Sequence, residues 1–160
     1  MAVSAPPVTL RRAEPADEPF LLAVYAATRA DELALVDWSD DQKEAFVRQQ
    51  FAAQDVHYRE HYSDVSYDVI EVQGEPAGRL YVARWEDEIR VMDIALLPER
   101  RGDGIATQLL GDLLAEARDA GKKVTVHVER HNPALRLYDR LGFIPVADLG
   151  VYLLREARPA

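Results

Sequence analysis

The stretch Leu96-Leu97-Pro98-Glu99-Arg100-Arg101-Gly102-Asp103-Gly104-Ile105-Ala106-Thr107 constrains this chain more than any other. An apolar run that begins at Ile89 ends at Leu97, Pro98 stops it, and two glycines precede a helical pattern. Ile105, Leu109, Leu110, Leu113, Leu114 and Ala117 fall on one face of a 3.6-residue repeat. A strand, a glycine turn and a helix start leave the first helical amides without internal partners. The helix dipole adds positive potential at the same place. Gly102 and Gly104 lack the side chains that would hold a phosphate away from those amides, so a phosphorylated ligand is expected there. A P-loop is excluded, because no lysine follows either glycine, and a dinucleotide fingerprint would need a third small residue where Thr107 stands.

At 160 residues the chain reads as one domain, 1–160, with enough length to bury a core unaided. The absence of cysteine excludes disulfides, thiolate nucleophiles and cysteine metal sites. Met1 to Arg12 carries no apolar signal region and no run approaches membrane-spanning length, so the expected location is the cytoplasm, away from membrane. A net charge of -9 argues against nucleic acid, whose phosphates need concentrated Lys and Arg. The same charge is compatible with a cationic, amine-bearing partner, although surface acidity also serves solubility.

In chain order, 1–7 reads as a loose tail and Val8 to Arg12 as a first strand. Pro15 and Asp17 introduce a helix bearing Phe20, Leu21, Val24 and Tyr25, and Asp31 to Trp38 reads as an acidic connection. Ser39-Asp40-Asp41 is an N-cap cluster for a second helix, with Phe46, Val47 and Phe51 on its apolar face. Within Gln54 to Ser66, His57 and His61 lie four apart, but Tyr58 replaces the glutamate of H-E-x-x-H and no third ligand is evident. No metal is therefore expected, and the segment reads as a helix end or lid. Tyr67 to Val72 and Gly78 to Trp85 form a hairpin across Gln73-Gly74-Glu75-Pro76, and Ile89 to Leu97 is its third strand. The helix from about Gly104 ends at Gly121, and Lys123 to Glu129 alternates as a strand. Asn132 as N-cap and Pro133 at the first helical position start a further helix that Gly142 closes. Val151 to Leu154 is a last strand, Arg155 to Ala160 a polar tail, and 156–160 count as loose. The order β-α-α-β-β-β-α-β-α-β is α+β with a mixed, mostly antiparallel sheet.

Two motifs carry a family resemblance. Arg101, Gly104 and Ala106 make Arg-x-x-Gly-x-Ala, and about thirty residues on come Asn132, Ala134, Leu137, Tyr138, Arg140, Gly142 and Phe143. The pair resembles the acetyl-CoA loop and the N-x-x-A-x-x-[LF]-Y-x-[KR]-x-G-F segment of the GCN5-related N-acetyltransferases. The alanine here stands two rather than three residues after the asparagine. The resemblance spans Ile89 to Phe143 well and the N-terminal third only in element order. It implies a sheet whose central parallel strands, Ile89–Leu97 and Lys123–Glu129, splay apart, with helices flanking it. Pantetheine would lie in the gap against backbone at Leu96 and Leu97, and pyrophosphate on the amides of Arg101, Gly102, Asp103, Gly104, Ile105, Ala106 and Thr107. Asn132 would bond the pantetheine arm, Ala134 leave it room, and Arg140 or Arg136 pair with the adenosine phosphate.

The chemistry implied is direct transfer of an acetyl group from acetyl-CoA to the primary amine of a small molecule or peptide. Tyr138 matches the family tyrosine that acts as general acid at the sulfur. Asp93, in an otherwise apolar strand, is the candidate base because burial would raise its pKa. His127 and Glu129 are the other candidates, and Glu88 reads as solvated in a turn. An acyl-CoA-binding sensor without turnover is the alternative. The acceptor and the range of acyl groups are not legible, and oligomeric state is left open, a homodimer being the commonest arrangement.

Overall fold

A computed structural model describes residues 7–129, 132, 134–150 and 152–158 of the chain. Seven strands, β1 (Val8–Arg12), β2 (Val65–Val72), β3 (Glu75–Arg84), β4 (Glu88–Leu96), β5 (Lys123–Glu129), β6 (Ile144–Asp148) and β7 (Tyr152–Ala157), follow the order β1-β2-β3-β4-β5-β7-β6 in one sheet. Four helices, α1 (Glu18–Leu33), α2 (Asp40–His61), α3 (Ile105–Ala120) and α4 (Leu135–Arg140), complete an α+β architecture. The chain divides into two compact units, the first Met1–Ser63, Tyr67–Leu80 and Ala95–Arg101, the second Asp64–Ser66, Tyr81–Ile94 and Gly102–Ala160.

In the first unit β1 runs antiparallel to β2, in register from Val8↔Val72 to Arg12↔Asp68. Gln73 and Gly74 both take positive φ, 53° and 80°, the backbone of a tight two-residue hairpin. The turn is thus shorter than the four residues expected, and β3 begins at Glu75. Ser39 caps α2 reciprocally with Gln42, each side chain accepting the other's backbone amide. Leu21, Val24, Tyr25 and Val47 from the helices are buried, as are Val69, Ile70 and Leu80 from the strands. Helix α1 continues through Leu33, so the acidic connection starts three residues later than the sequence suggests. An Arg29–Glu32 pair at 2.9 Å lies on that extra turn.

Arg11 clasps this unit. Its guanidinium donates twice to Asp17 at 2.8 Å and once to Glu71 at 3.0 Å. The Arg11 bonds, with a further one from the Glu14 amide, hold the Asp17 carboxyl down at about 2, against 3.8 ordinarily. A depressed carboxylate stabilises the fold above its unfolded pKa and ceases to as pH falls through its folded one. Asp17→Asn should therefore lower the urea midpoint at pH 7 and flatten its decline between pH 4 and pH 2. A decline as steep as wild type would show that the clasp contributes nothing.

In the second unit β4 and β5 are parallel, joined through α3, with pairs from Glu88↔Lys123 to Val91↔Val126. Helix α3 buries Ile105, Leu109, Leu110, Leu113 and Ala117, and Gly121 ends it in the left-handed region at φ 69°. Strand β7 pairs antiparallel with β5 from Val124↔Ala157 to Glu129↔Tyr152 and with β6 on its other side.

Strand β6 is an addition to the sequence reading. Pro145 within it has no amide to give a ladder, which argues against a strand except at a sheet edge, and β6 is the edge. A register irregularity falls between Pro145 and Ala147. The loose C-terminal tail is a correction too, since Glu156 and Ala157 belong to β7 and are buried. Their charged neighbours are what made the segment look solvated, but Arg158 donates to Glu156 at 2.7 Å and Lys123 lies 3.7 Å away. Among the described residues, no helix is long and apolar enough to cross a membrane.

Candidate functional site

Strand β4 enters the site as half of a parallel pair and leaves it alone on that side. The pairing with β5 stops at Val91↔Val126, while β4 continues to Leu96 and β5 stays on β7 through Glu129. The expected divergence of the central strands is therefore present, and it begins after four pairs.

Beyond β4, Pro98–Arg100 forms one 3-10 turn and the chain reaches α3 through two left-handed glycines, Gly102 at φ 83° and Gly104 at φ 81°. A Cβ built on either glycine meets nothing within 4 Å, so the requirement at both is conformational and the space beside them is open. The first helical bond runs from the Gln108 amide to the Gly104 carbonyl at 3.0 Å. The amides of Gly102, Asp103, Gly104, Ile105, Ala106 and Thr107 have no hydrogen-bond partner among the described residues. These six unpartnered donors stand at the positive end of a sixteen-residue helix, where anions are favoured.

Three expected contacts need correction. The Arg101 amide donates to the Pro98 carbonyl at 3.2 Å, so it is spent on the turn and the unpartnered row starts at Gly102. The Leu97 amide donates to the Ala77 carbonyl at 2.9 Å, which commits it to β3. The Leu96 carbonyl accepts from Arg101 Nε at 3.2 Å, so it too is occupied and the arginine braces the strand end. Leu96 and Leu97 alternate along the strand, so with Leu97 bonded to β3 it is Leu96 whose backbone faces the opposite edge.

Tyr138 is 3% exposed on α4, its ring edge-on to Phe143 with centroids 5.3 Å apart. Burial, and secondarily the charge of Asp93, push its phenol up to about 12. Tyr138 is thus fully protonated at neutral pH, the state a general acid needs. Asp93 is half-buried rather than enclosed. Asn132 accepts the Ala134 amide at its Oδ1, 2.8 Å away, and the Leu135 amide at its carbonyl, 3.1 Å away. It opens the turn before α4, whose N-cap is Ala134 and not Asn132. Pro133 lies outside the described residues. Arg136 and Arg140 are exposed on α4.

A polar network on β4 and β5 was not expected. Arg90 Nε donates to Thr125 Oγ1 at 2.6 Å, and that hydroxyl donates to Glu88 Oε2 at 2.5 Å. Arg90 also lies 3.5 Å from Glu88 Oε2 and 3.5 Å from His127 Nε2, with its guanidinium 5.5 Å from the Trp85 ring centroid. Glu88 opens β4 and is mostly buried, which corrects its reading as a solvated turn residue. The signal was available in the alternation Glu88, Arg90 and Thr125, His127. Only the parallel register puts the two pairs on one face. Partial burial and then Arg90 lower the His127 pKa, while Glu88 opposes them.

Elsewhere, the His57 and His61 rings stack at 4.4 Å on α2. Among the described residues, no three His, Cys, Asp or Glu side chains are grouped to hold a metal ion.

A sequence profile of the acetyltransferase (GNAT) family matches residues 28–143. No curated protein matches the sequence significantly. Among solved structures, the PaiA N-acetyltransferase of Thermoplasma acidophilum in complex with coenzyme A is similar at a TM-score of 0.72 and 16% identity. It covers 95% of this chain and 99% of its own. An acetyltransferase from Thermus thermophilus is similar at a TM-score of 0.69 and 21% identity, covering 98% and 99%. At these identities the likeness is one of fold.

Proposed function

This chain belongs to the acetyltransferase (GNAT) family, and on that premise we propose that it is an acetyl-CoA-dependent N-acetyltransferase. The acceptor is the primary amine of a small molecule or peptide, and the setting is cytoplasmic. Acetyl-CoA supplies the acetyl group as an activated thioester. The observation that carries the proposal is the row of six unpartnered amides from Gly102 to Thr107, opened by two left-handed glycines. Six donors with open space beside them fit a diphosphate. The coenzyme A complex of the Thermoplasma relative accords with that reading.

Each residue's role follows from its chemistry. The Leu96 amide offers the strand edge for an extended ligand arm, its carbonyl being held by Arg101 Nε, with Leu97 in support through its bond to β3. The amide side of Asn132 remains a donor for that arm, because its Oδ1 already holds the Ala134 amide. Ala134 adds no bulk, and Arg140 is free to meet a terminal phosphate. A β4 amide beyond Val91 polarises the acyl carbonyl. Tyr138 delivers its proton to the departing sulfur. Burial, and after it the negative charge of Asp93, holds Tyr138 in its acid form, and Asp93 is the candidate base.

Calorimetry with acetyl-CoA and a free-thiol assay against amino acids, polyamines, aminoglycosides and peptide N-termini test the proposal. Heat of binding with thiol release is the expected result, and binding without release from any amine would make the protein a sensor. Gly104→Val should weaken acetyl-CoA about 10-fold or more, because a β-branched residue in the left-handed region costs about 1–2 kcal/mol. Undiminished affinity in that variant would remove the amide row from the proposal.

A further inference from the structure

We infer that the ion pair between Arg155 of β7 and Asp139 of α4 holds α4 in the orientation that presents Tyr138 to the opening between β4 and β5. Both are positioning residues, which act through Tyr138 and touch no reactant. The inference rests on the acetyltransferase reading and adds to it what aims the proposed acid.

Arg155 is out of place in its row. Leu153, Arg155 and Ala157 alternate along one face of β7. Ala157 shares a small cavity with Val124 of β5, with Leu114 and Ala117 of α3 and with Leu141 after α4. The arginine thus projects into the layer between sheet and helices, and its side chain is only 11% exposed. Arginine is almost never withdrawn this far from water unless it is paired. Nε has no hydrogen-bond partner among the described residues although solvent does not reach it, a cost that burial alone would not select. The partner that the guanidinium does have is Asp139, to which Nη1 donates. Register completes the placement. Arg155 stands opposite Val126, the last β5 residue paired with β4, so the tie lies level with the point where those strands part.

Helix α4 needs such a tie. It is six residues long, too short to hold its shape alone, its N-cap Ala134 offers no side-chain bond, and Tyr138 is the residue it buries. Backbone bonds fix its exit, from the Gly142 amide to the Asp139 carbonyl and from the Phe143 amide to the Tyr138 carbonyl. They leave the helix able to roll about its axis. Successive residues project about 100° apart around a helix, so a side chain anchored at 139 sets the direction in which 138 points. That direction is the opening, since the charge acting on the Tyr138 phenol is that of Asp93, two residues beyond the last paired β4 position at Val91. An ion pair open to water at both ends would fix little. Here one end is a guanidinium enclosed by the fold, while Asp139 at the other is 58% exposed and can be replaced without opening the core.

The test uses the full chain. Thiol release from acetyl-CoA is measured with whichever amine of the panel turns over fastest. The tyrosine rings are followed by NMR with 13C-tyrosine label, the Tyr138 signal being assigned by its loss in Tyr138→Phe. Asp139→Asn should lower kcat about 5-fold, less than Tyr138→Phe does, while KM for acetyl-CoA stays within about twofold. Asp139→Glu, which keeps a carboxylate, should recover most of that loss. In a Tyr138→Phe background Asp139→Asn should change kcat no further, because the proton it helps to aim is gone. Asp139→Asn and Arg155→Met should move the Tyr138 ring signal in the same direction, as release of one tie from either end does. Losses that simply multiply in the double variant would overturn the inference. So would a ring signal that stays in place, or one that the two variants move in opposite directions as the mere loss of opposite charges would. Should wild type release no thiol with any amine, or Tyr138→Phe keep full turnover, the transferase reading or the acid assignment fails instead, and the ring signal decides whether the pair orients Tyr138.

Discussion

Tyr138→Phe should lower kcat for thiol release about 10-fold or more while the affinity for acetyl-CoA stays within about twofold of wild type. The substitution removes one hydroxyl from a side chain that is 3% exposed and leaves its ring packed edge-on to Phe143. Ground-state contacts are preserved, so the loss falls on the step that needs the proton. The pH dependence gives an independent check. A phenol held at about 12 by burial and by Asp93 remains protonated well above the usual tyrosine range. No alkaline limb from this group should appear below about pH 11, and Asp93→Asn should bring it down by removing the charge that favours the acid form. The unfolded tyrosine ionises near 10, so between pH 10 and 12 unfolding releases a proton and alkali favours the unfolded chain. Tyr138→Phe should therefore resist alkaline unfolding better than wild type even as it loses turnover. A variant with unaltered kcat would place the acid elsewhere.

Legibility in the sequence followed the range of the physics involved. Helix α3 was readable from Gly104 to Gly121 because its apolar repeat, its left-handed ends and its proline-stopped approach are all local. The bounds of β5 followed from strict alternation between Lys123 and Glu129. Strand β6 was hidden because Pro145 argues locally against a strand, and only its place at the sheet edge makes the residue acceptable. Glu156 was hidden because its partners Lys123 and Arg158 neutralise a charge that looks solvent-bound in isolation. The same limit applies to the site. That amides gather at Gly102–Thr107 is a local fact. That the Leu97 amide is spent on Ala77, or that Arg90 reaches Thr125, depends on which strands lie side by side and in what register. One motif word was misleading in a smaller way. Asn132 was expected to cap α4 directly, yet it folds back on the Ala134 amide two residues on and the helix begins later.

The largest effect on stability is expected at a glycine that the motifs pass over. A Cβ at Gly78 on β3 would stand 2.2 Å from the Ala95 carbonyl oxygen, 2.9 Å from Leu96 Cδ2 and 3.0 Å from Leu96 Cα. Two of those three atoms are backbone, so no change of rotamer relieves the overlap. Ala95 and Leu96 are buried, and the Leu97 amide is tied to Ala77 at 2.9 Å, so β4 cannot drift away without giving up that bond. Gly78→Ala should therefore cost about 3 kcal/mol, read as a lower urea midpoint at unchanged slope. Gly111→Ala is the matched control. It sits in α3 with nothing within 4 Å of an added Cβ, and there alanine should raise stability by about 0.5–1 kcal/mol through helix propensity. The two substitutions add the same methyl group to the same protein and should move the midpoint in opposite directions. Should Gly78→Ala instead keep its midpoint but lose the heat of acetyl-CoA binding, the strain has been absorbed by moving Ala95 and Leu96, and the end of β4 is the ligand-contacting edge. A Gly78→Ala protein equal to wild type in both measurements would mean that β3 and β4 do not approach as closely as the geometry requires.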